Sequence, residues 1–505
     1  MSIFARSLMP VLLLALLGLA APRAMASGTP DLQWVACYEG FECATAHVPR
    51  DYARPHGAEF ELALIRKPAS DREHRLGSLF FNPGGPGGSG VDFVRFAPPA
   101  ALERFSERYD LVGFDPRGVG ASTPAATDCL PSYGPHFIRP ETLDVHALRA
   151  SARDHVRSCL AANGEFLPWL TTANVARDLD RLRIGVGDAK LNYLGLSYGG
   201  LIGETYTTLF PRRTGAIVID SPSDGEAWIK HPLEGVREQE ASFELSLDRF
   251  ERWCALDYPG CPLGADDPET DLDALVERLN AAPIPDGAGG TVHGDDVLLA
   301  AEESLYSRFA WSPLAGALAS AAGGDGSGVR ALAGESAGAL ASAYPAYMMN
   351  EGRYPRRLAP FLDANEHAYA LSPHFWWARG YEWAGVTRYP LAPRGAFYGP
   401  FRHSPKARTA LVIGGTHDPA APYLWARRYV ADLGNARLLT YESDGHGAIT
   451  DLNPCIVGAV LAYLETESLP AEGASCTQAV QPAAAALRAP GDDARREAWK
   501  RMTRF

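Results

Sequence analysis

The sequence predicts an α/β architecture: a mostly parallel sheet, covered by helices on both faces and split by a long helical insertion. Three observations carry this. Short apolar strands alternate with helical patterns between residues 59 and 219. That rhythm stops near Gly225, where helical character takes over as far as about Arg402, and it resumes at Thr409 with two more strands and a helix. Two independent domains in series would leave the last strands without neighbours, so one sheet interrupted by a cap is the simpler account. The cap is expected over the C-terminal edge of the sheet.

The first segment, 1–26, stands outside this fold. Arg6 precedes an apolar run from Val11 to Ala21, and Ala24-Met25-Ala26 is a small-x-small cleavage site, the pattern of a secretory signal peptide. The run is too short to cross a bilayer comfortably, and no Cys near the cleavage site offers a lipid anchor. Loss of Arg6 and Arg23 makes the mature chain more acidic than the whole, whose net charge is −13. No later run reads as a membrane span, so stable membrane insertion is not expected after cleavage. A periplasmic or secreted location follows.

The N-terminal part of the core is assigned to 27–224. Glu59–Lys67 alternates polar and apolar residues, as a half-exposed strand does. Leu79–Phe81 is a short apolar strand that runs into NPGGPGGSG, residues 82–90, and Tyr109–Phe114 runs into DPRGVG. Val175, Leu179 and Leu182 share one side of a helix over Asn174–Leu182. The strand Leu191–Leu196 ends at Ser197, a helix continues to about Phe210, and Ala216–Ile219 is the next strand. In the cap, 225–402, the clearer helices are Glu238–Trp253, Leu272–Ala281 and Asp296–Phe309, separated by glycine-rich breaks at 287–290 and 322–328. The C-terminal part of the core, 403–480, holds strands Thr409–Ile413 and Arg437–Tyr441 and a helix over Ile456–Leu464. A polar, Ala-rich tail, 481–505, carries no chemistry.

Composition narrows the classes. With 46% apolar and 21% charged residues the chain is ordinary globular protein, and its Gly and Pro sit in loop motifs without a collagen-like period. The excess of Asp and Glu over Lys and Arg offers nothing to a nucleic-acid backbone. All eight cysteines follow the signal, and an even number in an oxidising compartment suggests disulfides. Sequence order suggests the local pairs Cys37–Cys43, Cys129–Cys159, Cys254–Cys261 and Cys455–Cys476. No thiol cluster has zinc-ligand spacing, so no metal is expected. No GxxxxGK[ST] phosphate loop is present, and no cofactor is implied.

Gly195-Leu196-Ser197-Tyr198-Gly199 is the strongest chemical signal. This GxSxG follows an apolar strand and opens a helix, the context in which a sharp turn exposes a nucleophilic Ser. An oxyanion site needs two donors: the N–H of Tyr198 and one from the glycine-rich loop, where Pro86 has none to give. Gly85 is the first choice and Gly84 the reserve. Asp418 lies just past the strand TALVI, and His446 just past RLLTY, between two glycines. A Ser, Asp, His order at successive strand ends gives His446 as the base for Ser197 and Asp418 as the group that orients it, with Asp444 as a rival acid. Arg117, in FDPRG, is expected to pair with Asp115 or a neighbouring carboxylate and to brace the oxyanion loop.

These motifs together resemble one family. Cys37 and Cys43 before His47-Val48-Pro49, NPGGPGGSG, GFDPRGVGAST, GLSYGG, GGTHDP followed by Pro422, and the GHG turn are similar to the exported tripeptidyl aminopeptidases, α/β-hydrolases related to proline iminopeptidases. The resemblance covers Trp34 to about Cys455. It implies a catalytic Ser197 with Asp418 and His446, an oxyanion loop at Gly84 and Gly85, and release of short N-terminal peptides. Where other members carry cysteines late in the cap, this chain has an aromatic stretch with Trp376, Trp377 and Trp383, expected to be cap core unless it lines the cleft. A free α-ammonium needs a cap carboxylate, and Asp363, Glu366 and Glu382 are the acids nearest that stretch.

The expected function is therefore a serine exopeptidase acting on short peptides or small amides and esters. An esterase of the same mechanism is the alternative. A silent binding protein is disfavoured by the intact Ser197, Asp418 and His446.

Overall fold

A computed structural model describes residues 32–129, 143–334, 343–376, 382–390 and 392–479. The segments 1–26 and 481–505, and Trp377, lie outside these residues. Ten strands form one sheet. They are β1 (Val35–Tyr38), β2 (Phe41–Pro49), β3 (Glu59–Lys67), β4 (Gly77–Asn82), β5 (Tyr109–Phe114), β6 (Leu191–Leu196), β7 (Thr214–Asp220), β10 (Ala410–His417), β11 (Ala436–Asp444) and β12 (Ser475–Thr477). A separate two-stranded ribbon in the cap pairs β8 (Ile284–Pro285) with β9 (Thr291–Val292).

The sheet order is β1-β2-β3-β5-β4-β6-β7-β10-β11-β12. The pairings of β1 with β2, β2 with β3 and β3 with β5 are antiparallel, and all others are parallel. Burial follows this division. The strands β4 and β5 are buried at every residue, and β6 and β7 at all but one, whereas β3 alternates, as a strand with one wet face must.

The two faces of the sheet are covered by different helices. Phe80, Val112, Tyr193, Ile217, Ile219 and Val412 pack with residues of Thr172–Gly185, Tyr198–Leu209 and Tyr423–Leu433. Their strand neighbours Leu79, Phe81, Leu111, Leu194, Val218 and Leu411 point the other way, onto Gly90–Phe96, Pro99–Phe105 and Pro454–Thr466. This is an α/β-hydrolase fold with a large helical insertion.

The insertion leaves at the end of β7 and returns at β10, and these two strands pair directly, with Leu411 opposite Val218 and Ile413 opposite Asp220. The sheet is thus continuous across the insertion. The cap has a core of its own, in which Phe243, Leu247 and Phe250 of the long helix Pro232–Asp257 meet Leu275, Val297, Leu305, Trp311 and Leu314.

Four disulfides, Cys37–Cys43, Cys129–Cys159, Cys254–Cys261 and Cys455–Cys476, use every cysteine and match the expected local pairs. Elements not anticipated from sequence include β1, β2, β12 and the helix Val145–Asn163.

Arg117 is fully buried, and its partner is Asp178, not Asp115. It also donates to the carbonyls of Pro49, Arg50 and Trp169, while Tyr52 donates to Asp178 at 2.7 Å. Asp115 has a different task. It accepts from Ser89 Oγ at 2.6 Å and from the Val91 and Ala121 N–H groups, fixing the exit of the glycine-rich loop. In the cap, His374 lies between Glu244 and Asp273. Burial alone would lower its pKa, but the two carboxylates win and lift it to about 9. Burial lifts the nearby Glu251 carboxyl to about 8.

Two outcomes are expected. Asp178→Ala strands a buried guanidinium and should cost about 3–5 kcal/mol in denaturant unfolding. For both cap groups the folded pKa exceeds the unfolded one. The stability His374 supplies is complete below about 6.5 and is lost as the pH rises through about 9; Glu251 loses its share between about 4.5 and 8. The melting temperature should therefore fall from pH 6 to pH 9.5, and the fall should be shallower in Glu251→Gln.

Candidate active site

Ser197 stands between β6 and the helix Tyr198–Leu209, with φ 54° and ψ −123°. A non-glycine residue at positive φ is strained and must be held by its surroundings. The turn is too tight for side chains beside it, since a Cβ on Gly195 would lie 2.5 Å from the Gly199 carbonyl oxygen. The helix that starts at Tyr198 turns its first amides toward this point, where an anion is favoured. The Tyr198 side chain itself is buried away, its hydroxyl against Thr172 Oγ1 and its ring 6.0 Å from that of Trp228.

The glycine-rich loop presses on the same turn. A Cβ at Gly84 would sit 2.6 Å from the Leu196 carbonyl oxygen and 2.9 Å from Ser197 Cβ. The Gly84 N–H is already bonded to Asn82 Oδ1 at 3.0 Å, and the Gly84 carbonyl accepts from the Gly88 N–H. The Gly85 amide has no such partner among the described residues. Of the two glycines weighed from sequence, Gly85 is thus the one with a donor to offer.

Asp418 and His446 come together from the ends of β10 and β11. His446 Nδ1 is 2.9 Å from both Asp418 oxygens, and both side chains are fully buried. Asp418 is itself fixed by the Ala420 and Ala421 N–H groups at 3.0 and 2.8 Å. With Nδ1 so engaged, Nε2 of His446 is buried and carries no hydrogen bond. Asp444 is taken by Arg249, at 2.5 Å, and does not bond His446. His417 is half-buried and hydrogen-bonded to Thr416 Oγ1 at 3.1 Å.

What gathers these groups is the turn after β7, which sequence reasoning passed over. The Asp220 carbonyl accepts the Ser197 N–H at 2.9 Å, and the Ser197 carbonyl accepts the Ser223 N–H at 3.2 Å. The Asp220 carboxylate accepts the Ala448 and Ile449 N–H groups at 3.0 and 2.8 Å, and Ser221 Oγ accepts that of Gly447. Ser221 also donates its N–H to Ile413 of β10. Burial lifts the Asp220 carboxyl to about 6, against the two amides and His446 that hold it down. The signal was a charge closing the apolar strand TGAIVID.

The substrate-binding candidates fare differently. Asp363 and Glu366 lie on the helix Ala359–Leu371 and face solvent. Trp376 is buried in a small cluster with Leu148, Ala152, Ala368 and Ala384, so it packs the cap against the helix Val145–Asn163. Glu382 opens a short 3-10 segment, Glu382–Arg388. Among the described residues no His, Cys, Asp and Glu cluster could hold a metal, and no helix is long and apolar enough to cross a membrane.

Residues 396–476 match the family described as TAP-like protein. The chain is 30% identical to a tripeptidyl aminopeptidase of Streptomyces coelicolor, over 92% of this chain and 88% of that protein. It is 31% identical to the serine protease Hip1 of Mycobacterium tuberculosis, over 86% and 87% of the two chains. It is also 31% identical to a carboxylesterase B of the same species, over 88% and 90%. On this similarity and its fold, the chain belongs to the TAP-like α/β-hydrolases, enzymes of the serine-hydrolase type among whose relatives are both peptidases and an esterase.

Proposed function

We propose that this protein is an exported serine exopeptidase that releases short peptides from the N-termini of its substrates through an acyl-enzyme. The observation that carries this reading is the buried His446–Asp418 pair tied, through one turn, to the strained Ser197. Ser197 Oγ attacks the scissile carbonyl as its proton passes to His446 Nε2. Asp418 keeps the Nδ1 proton in place and stabilises the imidazolium. The oxyanion receives the N–H groups of Tyr198 and Gly85, fixed in advance by the helix start and by the bracing of the loop through Asn82 and Asp115. His446 then gives its proton to the departing amine, and water repeats the sequence to free the peptide from Ser197.

Aminopeptidase specificity is supported by similarity to the Streptomyces enzyme. The cap, which covers the Asp418 and His446 loops, is where a carboxylate for the free ammonium belongs. An esterase is the second reading, because a carboxylesterase is as similar to this chain as the peptidases are. Export is supported by the signal-like first segment and the four disulfides, which persist in oxidising compartments. Short peptides and small amides or esters are the proposed substrates.

Ser197→Ala should fold normally and lose about three orders of magnitude or more in kcat. Near wild-type turnover of a peptide amide by the purified variant would remove Ser197 from its role. Acetylating the N-terminus of a short peptide amide should lower kcat/KM by about 100-fold, or roughly 2.7 kcal/mol in the transition state. Equal rates for blocked and free peptides, with faster ester turnover, would transfer the assignment to the esterase.

A further inference from the structure

We propose that the cap positions the catalytic base, and that the Arg249–Asp444 ion pair is the lock that does it. This rests on His446 acting as the base. His446 sits between Gly445 (φ 103°) and Gly447 (φ 83°), so its own backbone does little to fix the imidazole. From the core, Asp220 and Ser221 hold the amides of residues 447 to 449. The other side of the loop is held by the cap. The His446 N–H donates to the Tyr306 carbonyl at 2.8 Å, Ser307 pairs with Gly445 as an antiparallel bridge, and the Tyr306 ring meets the imidazole edge-on at 5.7 Å.

One residue before this bridge, Asp444 receives two bonds from Arg249 of the helix Pro232–Asp257, at 2.5 and 3.3 Å. Arg308, one residue past Ser307, approaches the same carboxylate to 3.9 Å with its guanidinium over the rings of Trp253 and Trp311. His417 Nδ1 lies 3.9 Å away, and the Gln478 side chain bonds the Asp444 backbone. The same long helix holds the acid loop, through Ser242 Oγ to the Asp418 carbonyl at 2.7 Å and Gln239 Nε2 to the Ala420 carbonyl at 2.6 Å. Cap and core therefore meet at the two loops whose geometry the reaction needs. An exposed ion pair would do little here. This one is partly buried, is bonded through two nitrogens and closes a backbone bridge that ends at the base.

The test uses p-nitrophenyl acetate, whose small acyl group makes few demands on the cap. Arg249→Met and Asp444→Asn should each lower kcat by about 10- to 100-fold, the cost of a small misplacement of a catalytic group, with KM within about threefold. Combining Arg249→Met with Asp444→Asn should cost no more than the larger single loss, because both changes open the same pair. Melting temperatures separate this from unfolding, and the isosteric Asp444→Asn carries the test if Arg249→Met does not fold. Wild-type kcat in Asp444→Asn, or losses confined to KM, would overturn the proposal. Ser197→Ala run in parallel keeps the two readings apart: if it is inactive while the pair variants turn over normally, only the positioning claim fails. If Ser197→Ala stays active, the proposed reaction fails.

Discussion

The four-residue turn Asp220–Ser223 is the constraint on which the site depends. Ser197, Asp418 and His446 come from three strand ends, the first more than 200 residues before the other two, and none of them bonds to all the others. The turn touches each of their segments: the Ser197 backbone on both sides, Ile413 of the strand that leads to Asp418, and the amides that follow His446. Its carboxylate is buried at an energetic cost that raises its pKa to about 6. A buried group of this kind is tolerated where it fixes a geometry that apolar packing could not specify. Hydrogen bonds from backbone to backbone and from backbone to carboxylate have direction, whereas the surrounding Leu, Ile and Val contacts do not.

The cap has a double relation to that site. Its own core of Phe243, Phe250, Trp311 and their neighbours makes it a packed unit rather than a loop. It meets the rest of the molecule over an apolar surface that includes Trp228, Tyr347, Met348 and Phe401, and its polar contacts fall on the acid and base loops. A lid attached only by apolar surface could slide. One attached through Tyr306, Ser242, Gln239 and Arg249 has to keep its register to within a hydrogen bond.

Much of this was legible in the sequence, and the reasons are specific. Strands such as Leu191–Leu196 and Tyr109–Phe114 were readable because a strand buried on both faces is short and predominantly apolar, here with Asn192 and Asp110 as the single polar residues. Ser197, Asp418 and His446 were readable because glycines and strand ends mark them. The strands β1 and β2 were harder to see at the sheet's edge, since β1 is only four residues long and exposed throughout, and polar residues interrupt the pattern of β2. Arg117 showed as a residue in need of a carboxylate, but its partner, Asp178, is 61 residues away, and sequence proximity favoured Asp115. Asp220, Arg249 and Tyr306 act through contacts between distant segments, and no local spacing announces such contacts. Exposure of Asp363 and Glu366 was likewise a matter of which side of a helix turned inward, here the side of Phe361, Asn365 and Ala368.

The pairing of β7 with β10 also bears on how the chain assembles. Between Asp220 and Ala410 lies the whole cap, so this central ladder can close only after almost two hundred residues have been gathered. Loop closure of that length is entropically modest, but contacts so far apart in sequence form slowly. Until β10 docks, β7 is an open parallel edge of apolar residues, Ile217-Val218-Ile219, of the kind that invites pairing with another chain. The strand that follows the insertion is thus also the one that covers this edge, with Leu411 and Ile413 laid against Val218 and Asp220.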